Sequence, residues 1–490
     1  MAVRIVMRAG KAPHTVLPPE ATGAFGRVGT FATNTGNQLF ANAVYRHLNT
    51  PDTQILTDGM SLQQPGVTPA DVERLNAEAH AVALPLANAF RPDFLEHLNR
   101  LADLVEQLTI PVTVIGVGGQ APLGVSLKDV NDEVNQATTR FVRAILDHSA
   151  SIGVRGALTA QYLVDLGFPA DQIDQIGCPS LYDYDARPAK APVAPAAQAS
   201  FAVTLTPTIA ADARLLAQNR ERYPDLLYIA QDYKDLRLLL WGEPVPSYPE
   251  GIPATPDHPV YQAGQMAMCL DPRTWYELLA QRDFGFGTRF HGIVAALNAG
   301  IPAMLLAHDS RTLELAEYHS IPYLPLDPAQ DYDALALWEQ TDMAPFHANL
   351  EAGRQAYIAF LERNGFAHTF AEPNPEYEEM LAGLEYPPPV FPLGTTAQTF
   401  AERLHWLWQG PGPDARRAAR WHQPEFRVGT GEPPYRPVEA AIDRLTRLVE
   451  KQAETIKEQR KTIAALEHRV TNHHNLLTFR WLRLLRRKTK

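Results

Sequence analysis

The chain has 490 residues, enough for two or three domains, and its 45% hydrophobic content is typical of a globular protein with an ample core. A formal net charge of -11 argues against a nucleic-acid partner for the main body. With only two cysteines, Cys178 and Cys269, the composition argues against a disulfide framework and a cysteine-based zinc site, and it favours a reducing cytosol.

Neither end of the sequence indicates secretion or a membrane span. The basic start lacks an apolar stretch of signal-peptide length. No uninterrupted apolar run of about 20 residues is present, so we expect no transmembrane helix.

Two regions of the chain alternate short apolar runs with helical patterns. In the first, residues 111–119 are typical of a buried strand that ends in glycines, and residues 151–156 of a short strand and turn before a helix. An Ala- and Pro-rich stretch at 188–199 predicts a linker. A second alternating region follows it, so the sequence predicts parallel sheets with helices on both faces.

The segment 286–292 is the most informative one for chemistry. It joins a strand-like run to a helix pattern through Gly287, and it places Arg289 and His291 at the junction. Helix N-termini attract anions, arginine adds a fixed cation, and histidine exchanges a proton near neutral pH. The alternative is a surface arginine and a core histidine that cap a helix, and the segment alone leaves both interpretations open.

The C-terminal part has a different character. Proline and tryptophan recur over 372–439, which predicts a linker or a segment that packs on the body. Apolar residues then recur every seventh position over 440–477 and predict a coiled coil and a homo-oligomer; they are Ile442, Val449, Ile456, Ile463, Val470 and Leu477.

The tail at 478–490 is basic and amphipathic. From residue 441 onward the chain carries 13 Lys/Arg against 5 Asp/Glu, whereas the body is acidic. This charge pattern favours a peripheral enzyme on the cytoplasmic face of the membrane, held by its tail. The alternative is a solvated basic end of the coiled coil.

Four segments together resemble the polysaccharide pyruvyl transferase family. They are 34–38, 151–155, 287–292, and 300–302 leading to 309–311. The resemblance implies a fold similar to GT-B enzymes: two Rossmann-like domains with a cleft between them, an acceptor side at 1–187 and a donor side with a crossing helix at 200–371. It also implies transfer of the carboxyvinyl unit of phosphoenolpyruvate to two hydroxyls of a sugar, with a cyclic pyruvate ketal as product. No metal or other cofactor is expected, and the partners are phosphoenolpyruvate and a glycan or lipid-linked sugar of a cell-surface polysaccharide precursor.

The same resemblance assigns roles to individual residues. Arg155 and Arg289 would clamp the two anionic groups of the donor, and His291 would be the general acid, or acid and base. The implied substrate-binding residues are Asn34, Gly36, Asn37, Gln38, Gly287 and Arg311.

The chain departs from the family pattern at two of its positions. Asn37 stands where relatives often have an acid, and this difference leaves acceptor choice open. Cys178 also replaces an acidic residue, and we expect it to be a small packed side chain rather than a nucleophile.

Other polar residues have structural interpretations. We expect His308 and His319 to be hydrogen-bonded structural histidines, and Asp309 or Glu314 to pair with Arg311. Asp232 follows a strand-like run and is expected to face the cleft.

Two other functions remain open from the sequence. One is a GT-B glycosyltransferase that uses a nucleotide-sugar donor. The other is a non-catalytic protein whose coiled coil scaffolds a glycan assembly complex.

Overall fold

A computed structural model of the chain describes residues 2–24, 30–31, 33–183, 198–394, 424–429, 454 and 457–465. Residues 1–436 form one compact unit and residues 437–490 a second. Most of the predicted linker at 188–199, much of the Pro/Trp-rich segment, nearly all of the coiled coil and the whole basic tail lie outside the described residues. Within the second unit, residues 454 and 457–465 are helical. The coiled coil therefore stays a prediction.

The first unit contains parallel strands that are short and mostly buried. They are β1 Val3–Met7, β2 Thr53–Thr57, β3 Ala81–Pro85, β4 Val112–Ile115, β5 Ile152–Val154, β6 Ile173–Gln175, β7 Phe201–Thr204, β8 Leu226–Ile229, β9 Met266–Ala267, β10 Phe284–Gly287, β11 Ala303–Ala307 and β12 Tyr323–Pro325.

Helices connect these strands and cover the sheets. They are α1 Pro19–Ala24, α2 Thr35–Leu48, α3 Pro69–Glu78, α4 Leu95–Val105, α5 Asp132–Leu146, α6 Ala157–Asp165, α7 Ala211–Arg222, α8 Tyr233–Trp241, α9 Pro259–Gln262, α10 Pro272–Leu279, α11 Phe290–Asn298, α12 Ser310–His319, α13 Ala334–Glu339, α14 Ala344–Arg363 and α15 Pro375–Ala382. Short 3₁₀ turns occur at Ser61–Gln63, Pro92–Phe94, Leu127–Asp129, Ala170–Gln172 and Pro179–Leu181.

The strands form two parallel sheets and one separate pair. The first sheet has the order β2-β1-β3-β4, the second has the order β12-β11-β10-β7-β8-β9, and β5 pairs with β6. In each sheet the chain begins in the interior, runs to one edge and then returns to the other side. The strand order therefore reverses between β1 and β3 in the first sheet and between β7 and β10 in the second.

A shared hydrophobic core joins the two sheets. Helix α2 packs Leu39 and Phe40 into the same buried cluster as Phe290 and Ile293 of α11. Helix α14 also packs Phe360 into this cluster, and its Arg363 pairs with Asp174 of β6 at 3.4 Å. Both sheets thus lie within one compact unit.

Sequence patterns predicted the α/β character and several of these elements. The parallel sheets confirm the mixed α/β class, and the strand predicted within 111–119 is found as β4. The division into domains at 1–187 and 200–371 stays a prediction. Among the described residues, no helix is long and apolar enough to cross a bilayer.

Candidate active site

Both sheets open onto one cleft of about 550 Å³ at the carboxyl ends of their strands. Open parallel sheets bind ligands at this edge, next to the point where the strand order reverses. The charged and titratable side chains that line the cleft are Arg8, Arg91, Asp93, His97, Asp232, Arg289, His291, His308 and Arg311. Among the described lining residues, arginines thus outnumber carboxylates by four to two, although the whole chain carries a net charge of -11.

Arg289 lies at the reversal point of the second sheet. Strand β10 ends at Gly287, and Arg289 is the N-cap of α11, so the predicted strand, turn and helix are confirmed. Both terminal nitrogens of Arg289 donate to Asp232, at 3.1 Å to Oδ2 and 2.9 Å to Oδ1. Asp232 follows β8 and lines the cleft as expected. The guanidinium therefore already has a carboxylate partner.

His291 lies in the first turn of α11 and is 8% exposed. Its ring stacks on Phe40 with 6.4 Å between the ring centroids, and its Nε2 lies 3.8 Å from Cys178 Sγ. Gly36 lies against the same ring: a Cβ at that position would come within 2.7 Å of His291 Cβ and 2.8 Å of Nδ1. The absence of a side chain at Gly36 is what allows α2 to approach the histidine.

Burial and charge both disfavour the protonated form of His291. Burial lowers the pKa of the imidazole well below its usual range, and Arg155, Arg311 and Arg289 lower it further. The imidazole is therefore neutral near pH 7 and acts as a proton acceptor in these surroundings. The general-acid role predicted for His291 thus requires a bound anion that offsets the arginines.

Arg155 follows β5 and is 1% exposed. Its Nε donates to the Gly116 carbonyl at 2.8 Å, and its guanidinium carbon lies 5.0 Å from the centroid of the Phe40 ring. Its Nη2 is buried without a hydrogen-bond partner among the described residues. Arg155 is not among the lining residues, so it contributes a buried charge behind Phe40, and its direct contact with a donor stays a prediction.

Arg311 lines the cleft and keeps an ordinary ion pair. Its Nη2 lies 3.3 Å from Asp309 Oδ2, as one of the sequence interpretations predicted. His308 Nε2 lies 3.5 Å from the same oxygen, and burial lowers the pKa of His308 to about 4. Glu314 makes no ion pair with Arg311; it accepts hydrogen bonds from Thr159 instead.

The remaining predicted binding residues divide into two groups. Asn34 and Asn37 line the cleft, and the Asn34 side chain caps α2 by accepting from the Asn37 amide at 2.9 Å. Gln38 is 3% exposed and donates to the Leu270 carbonyl at 2.9 Å, so it links α2 to the segment before α10 rather than lining the cleft. Gly287 is likewise not a lining residue: with a φ of 135°, it forms the turn that precedes Arg289.

Cys178 contacts His291, and His319 in turn holds the Cys178 backbone. Cys178 is fully buried, as expected for a packed side chain, and its Sγ donates to Ser180 at 3.4 Å. His319 Nε2 accepts the Cys178 amide at 2.8 Å, which confirms a structural role and fixes the ring in a form with Nε2 unprotonated. Burial, followed by Arg155, lowers the pKa of His319 to about 3.

Sequence reasoning missed several cleft residues. Arg8 follows β1 and Arg91 begins the segment before α4, and neither belongs to a recognised motif. Asp212, which is buried and does not line the cleft, was missed as well; it accepts from Thr288 at 2.6 Å, and burial raises its pKa to about 7. Only the position of Arg8 directly after a strand was a usable signal.

The described residues contain no group of three or more His, Cys, Asp and Glu side chains placed to hold a metal ion.

Comparison with known protein families identifies the enzymes to which this chain is related. The family model described as polysaccharide pyruvyl transferase matches residues 34–310, more than half of the chain. The chain belongs to the polysaccharide pyruvyl transferase family. It is accordingly a transferase enzyme, and the matched region begins at Asn34 and includes Arg155, Arg289 and His291.

Other comparisons add less. No curated protein is significantly similar to this transferase. Among solved structures, UDP-N-acetylglucosamine 2-epimerases from Neisseria meningitidis and Rickettsia bellii are similar at 10% identity, with TM-scores of 0.39 and 0.40. Each match covers 74% of this chain, together with 100% and 96% of the respective epimerase.

Proposed function

We propose that this transferase moves the carboxyvinyl unit of phosphoenolpyruvate to a sugar of a cell-surface polysaccharide precursor and closes a pyruvate ketal on it. The observation that carries the proposal is the cationic cleft within an acidic chain. Among the described lining residues four arginines stand against two carboxylates, and two of these arginines, Arg289 and Arg311, follow strands of the second sheet, where we place the donor. A small donor with a carboxylate and a phosphate needs such a site.

The donor anions engage the second-sheet side of the cleft. Arg289 and Arg311 both line that side and carry their guanidinium groups next to His291. Asp232 holds Arg289 in a fixed orientation until the donor arrives. Arg155 adds a buried positive charge behind Phe40, which strengthens the attraction for an anion.

Donor binding also changes the proton state of His291. Burial and, after it, the neighbouring arginines hold the imidazole neutral, and a bound phosphate and carboxylate offset the charge of the arginines. The pKa of His291 therefore rises on binding, and the imidazole takes up a proton that it then gives to C3 of the enol.

The reaction balances without a metal or a redox partner. A sugar hydroxyl oxygen bonds to C2 as C3 gains its proton, and the hydroxyl proton is lost to a base. Phosphate then leaves with the electrons of its C–O bond, and the second hydroxyl closes the ring with loss of its own proton. The products are a pyruvate ketal and inorganic phosphate.

The membrane and oligomer predictions belong to the same proposal. A basic tail would hold the enzyme at the cytoplasmic membrane face, where a lipid-linked acceptor is accessible, and the coiled coil would join several copies. Family membership favours catalysis over a purely scaffolding role, and it favours phosphoenolpyruvate over a nucleotide sugar as the donor.

The direct test is acceptor-dependent phosphate release from phosphoenolpyruvate. We expect His291→Ala to lower turnover by about 10²–10⁴-fold, the usual contribution of a positioned acid or base. Arg289→Ala should raise the Kd for phosphoenolpyruvate roughly tenfold or more. The matched controls are His148→Ala and Arg273→Ala, neither of which lines the cleft. Full activity of both site variants would reject the assignment.

A further inference from the structure

A second cationic position lies on the first-sheet side of the cleft, away from the Arg289 turn. Arg8 directly follows β1, next to the point where the first sheet reverses between β1 and β3. It lines the cleft although it is only 9% exposed. Arg8 thus has the same position in the first sheet as Arg289 has in the second: both lie at the carboxyl ends of the strands, next to the reversal of strand order.

The Arg8 side chain is fixed by neutral groups. Its Nε donates to Gln63 Oε1 at 2.7 Å, and its Nη1 donates to the Pro85 carbonyl at the end of β3, also at 2.7 Å. The guanidinium carbon lies 5.8 Å from the centroid of the Phe94 ring. These contacts orient the guanidinium without neutralising it.

No carboxylate of the described residues forms an ion pair with Arg8. The nearest charge that acts on it, Asp58, is fully buried and accepts the amides of Ala9, Met60 and Leu62 instead. Burial lowers the pKa of Arg8 to about 10, so the group remains charged near pH 7. This contrasts with Arg289 and Arg311, which each have an aspartate partner. A buried, oriented cation with no ion-pair partner among the described residues favours an anionic ligand.

We propose that Arg8 forms an anion subsite for the acceptor, and that the acceptor carries a phosphate or carboxylate group that binds there. The proposal rests on the proposed function, because it takes the second-sheet side of the cleft as the place of the donor. It adds a statement about substrate class: the sugar is presented as an anionic conjugate rather than as a neutral glycan.

The test measures acceptor binding while the donor side is saturated with phosphoenolpyruvate. The probes are inorganic phosphate, the 1-phosphates of glucose, galactose and mannose, the matching uronates and the neutral methyl glycosides. We expect at least one charged sugar to bind roughly tenfold or more tightly than its neutral counterpart, as one charge-assisted hydrogen bond would give. Preference for phosphates or for uronates identifies the source of the anion, and either result supports the subsite.

Arg8→Gln should abolish this preference and leave the Kd for phosphoenolpyruvate within about twofold. Arg4→Gln is the matched control, since Arg4 lies on β1, the strand that Arg8 follows, pairs with Glu78 at 3.7 Å and does not line the cleft. Arg8→Lys keeps the charge and should retain part of the preference if the glutamine variant does not fold.

Three results would overturn the inference: no preference for charged sugars in the wild-type enzyme, displacement of those sugars by phosphoenolpyruvate, or an equal loss of donor affinity in Arg8→Gln. None of them depends on turnover. If the wild-type enzyme does not bind phosphoenolpyruvate, the proposed function is rejected instead. The preference for charged sugars is then measured in the absence of phosphoenolpyruvate.

Discussion

The two terminal guanidinium nitrogens of Arg289 donate to the two carboxylate oxygens of Asp232, at 3.1 and 2.9 Å. The two residues follow strands of the same sheet, since Asp232 comes after β8 and Arg289 after β10, with β7 between these strands. The donor anion needs the same planar fork that Asp232 occupies. Asp232 therefore orients Arg289, and under the proposed function it also competes with the donor for this side chain.

Replacement of this carboxylate should strengthen donor binding. We expect Asp232→Asn to lower the Kd for phosphoenolpyruvate by up to roughly fivefold, as a partly exposed ion pair contributes up to about 1 kcal/mol. Isothermal titration calorimetry measures the change. Asp225→Asn is the matched control, because Asp225 precedes β8 and pairs with Arg282 on the surface. Weaker binding in Asp232→Asn would show that orientation of Arg289 outweighs competition.

Gly36 should tolerate no side chain. A Cβ there would lie 2.7 Å from His291 Cβ, so Gly36→Ala must displace the imidazole. We expect kcat/KM to fall on the order of 100-fold, the typical cost of a misplacement of about 1 Å. Helix propensity alone would favour alanine over glycine by up to about 1 kcal/mol. A loss of activity is therefore expected from the displaced imidazole and not from unfolding of the helix. Gly383→Ala, where a Cβ meets nothing closer than 3.6 Å, should retain full activity.

His319 should make the fold sensitive to acid. Its pKa is lowered to about 3 by burial, so the unfolded state binds the extra proton between pH 3 and 6.5. The stability that His319 contributes is therefore present above pH 6.5 and is lost as the pH falls. At pH 5 the loss is about 2 kcal/mol.

Urea unfolding at pH 7 and pH 5 measures this effect. His319→Gln can still accept the Cys178 amide but does not titrate. From pH 7 to pH 5, the free energy of unfolding of this variant should therefore rise by about 2 kcal/mol relative to that of the wild type. His148→Gln serves as the control. A stability difference that is equal at the two pH values would contradict the account.

His291 should change its protonation when the donor binds. Burial and the three arginines hold its pKa well below the usual range, so its resonance should not titrate between about pH 6 and 8 in the free enzyme. Saturation with phosphoenolpyruvate should bring the titration into that window. NMR of ¹³C-labelled histidine, assigned with His291→Gln, measures it. An unchanged titration on donor binding would exclude the proton-uptake step.

Local sequence patterns predicted the elements because each pattern acts over a few residues. The strand, glycine turn and helix around Arg289 are found where the motif placed them. The same patterns could not show that β5 and β6 form a separate pair, because strand pairing depends on contacts between distant segments.

The candidate site was only partly predictable for the same reason. Its motif residues Arg289, His291 and Arg311 do line one cleft. Arg155 belongs to the motif set, but its burial behind Phe40 depends on how α2 packs. Arg8 has no local motif, and its orientation emerges only when β1 and β3 lie side by side and the Pro85 carbonyl accepts its Nη1.

The most direct test of the central claim is mass spectrometry of extracted lipid-linked glycans after incubation with the enzyme and phosphoenolpyruvate. The account predicts that one glycan gains the mass of one pyruvate minus one water, in step with phosphate release, and that His291→Ala and Arg289→Ala suppress both. Turnover of a nucleotide sugar with no pyruvate added, or pyruvylation that persists in both variants, would contradict it.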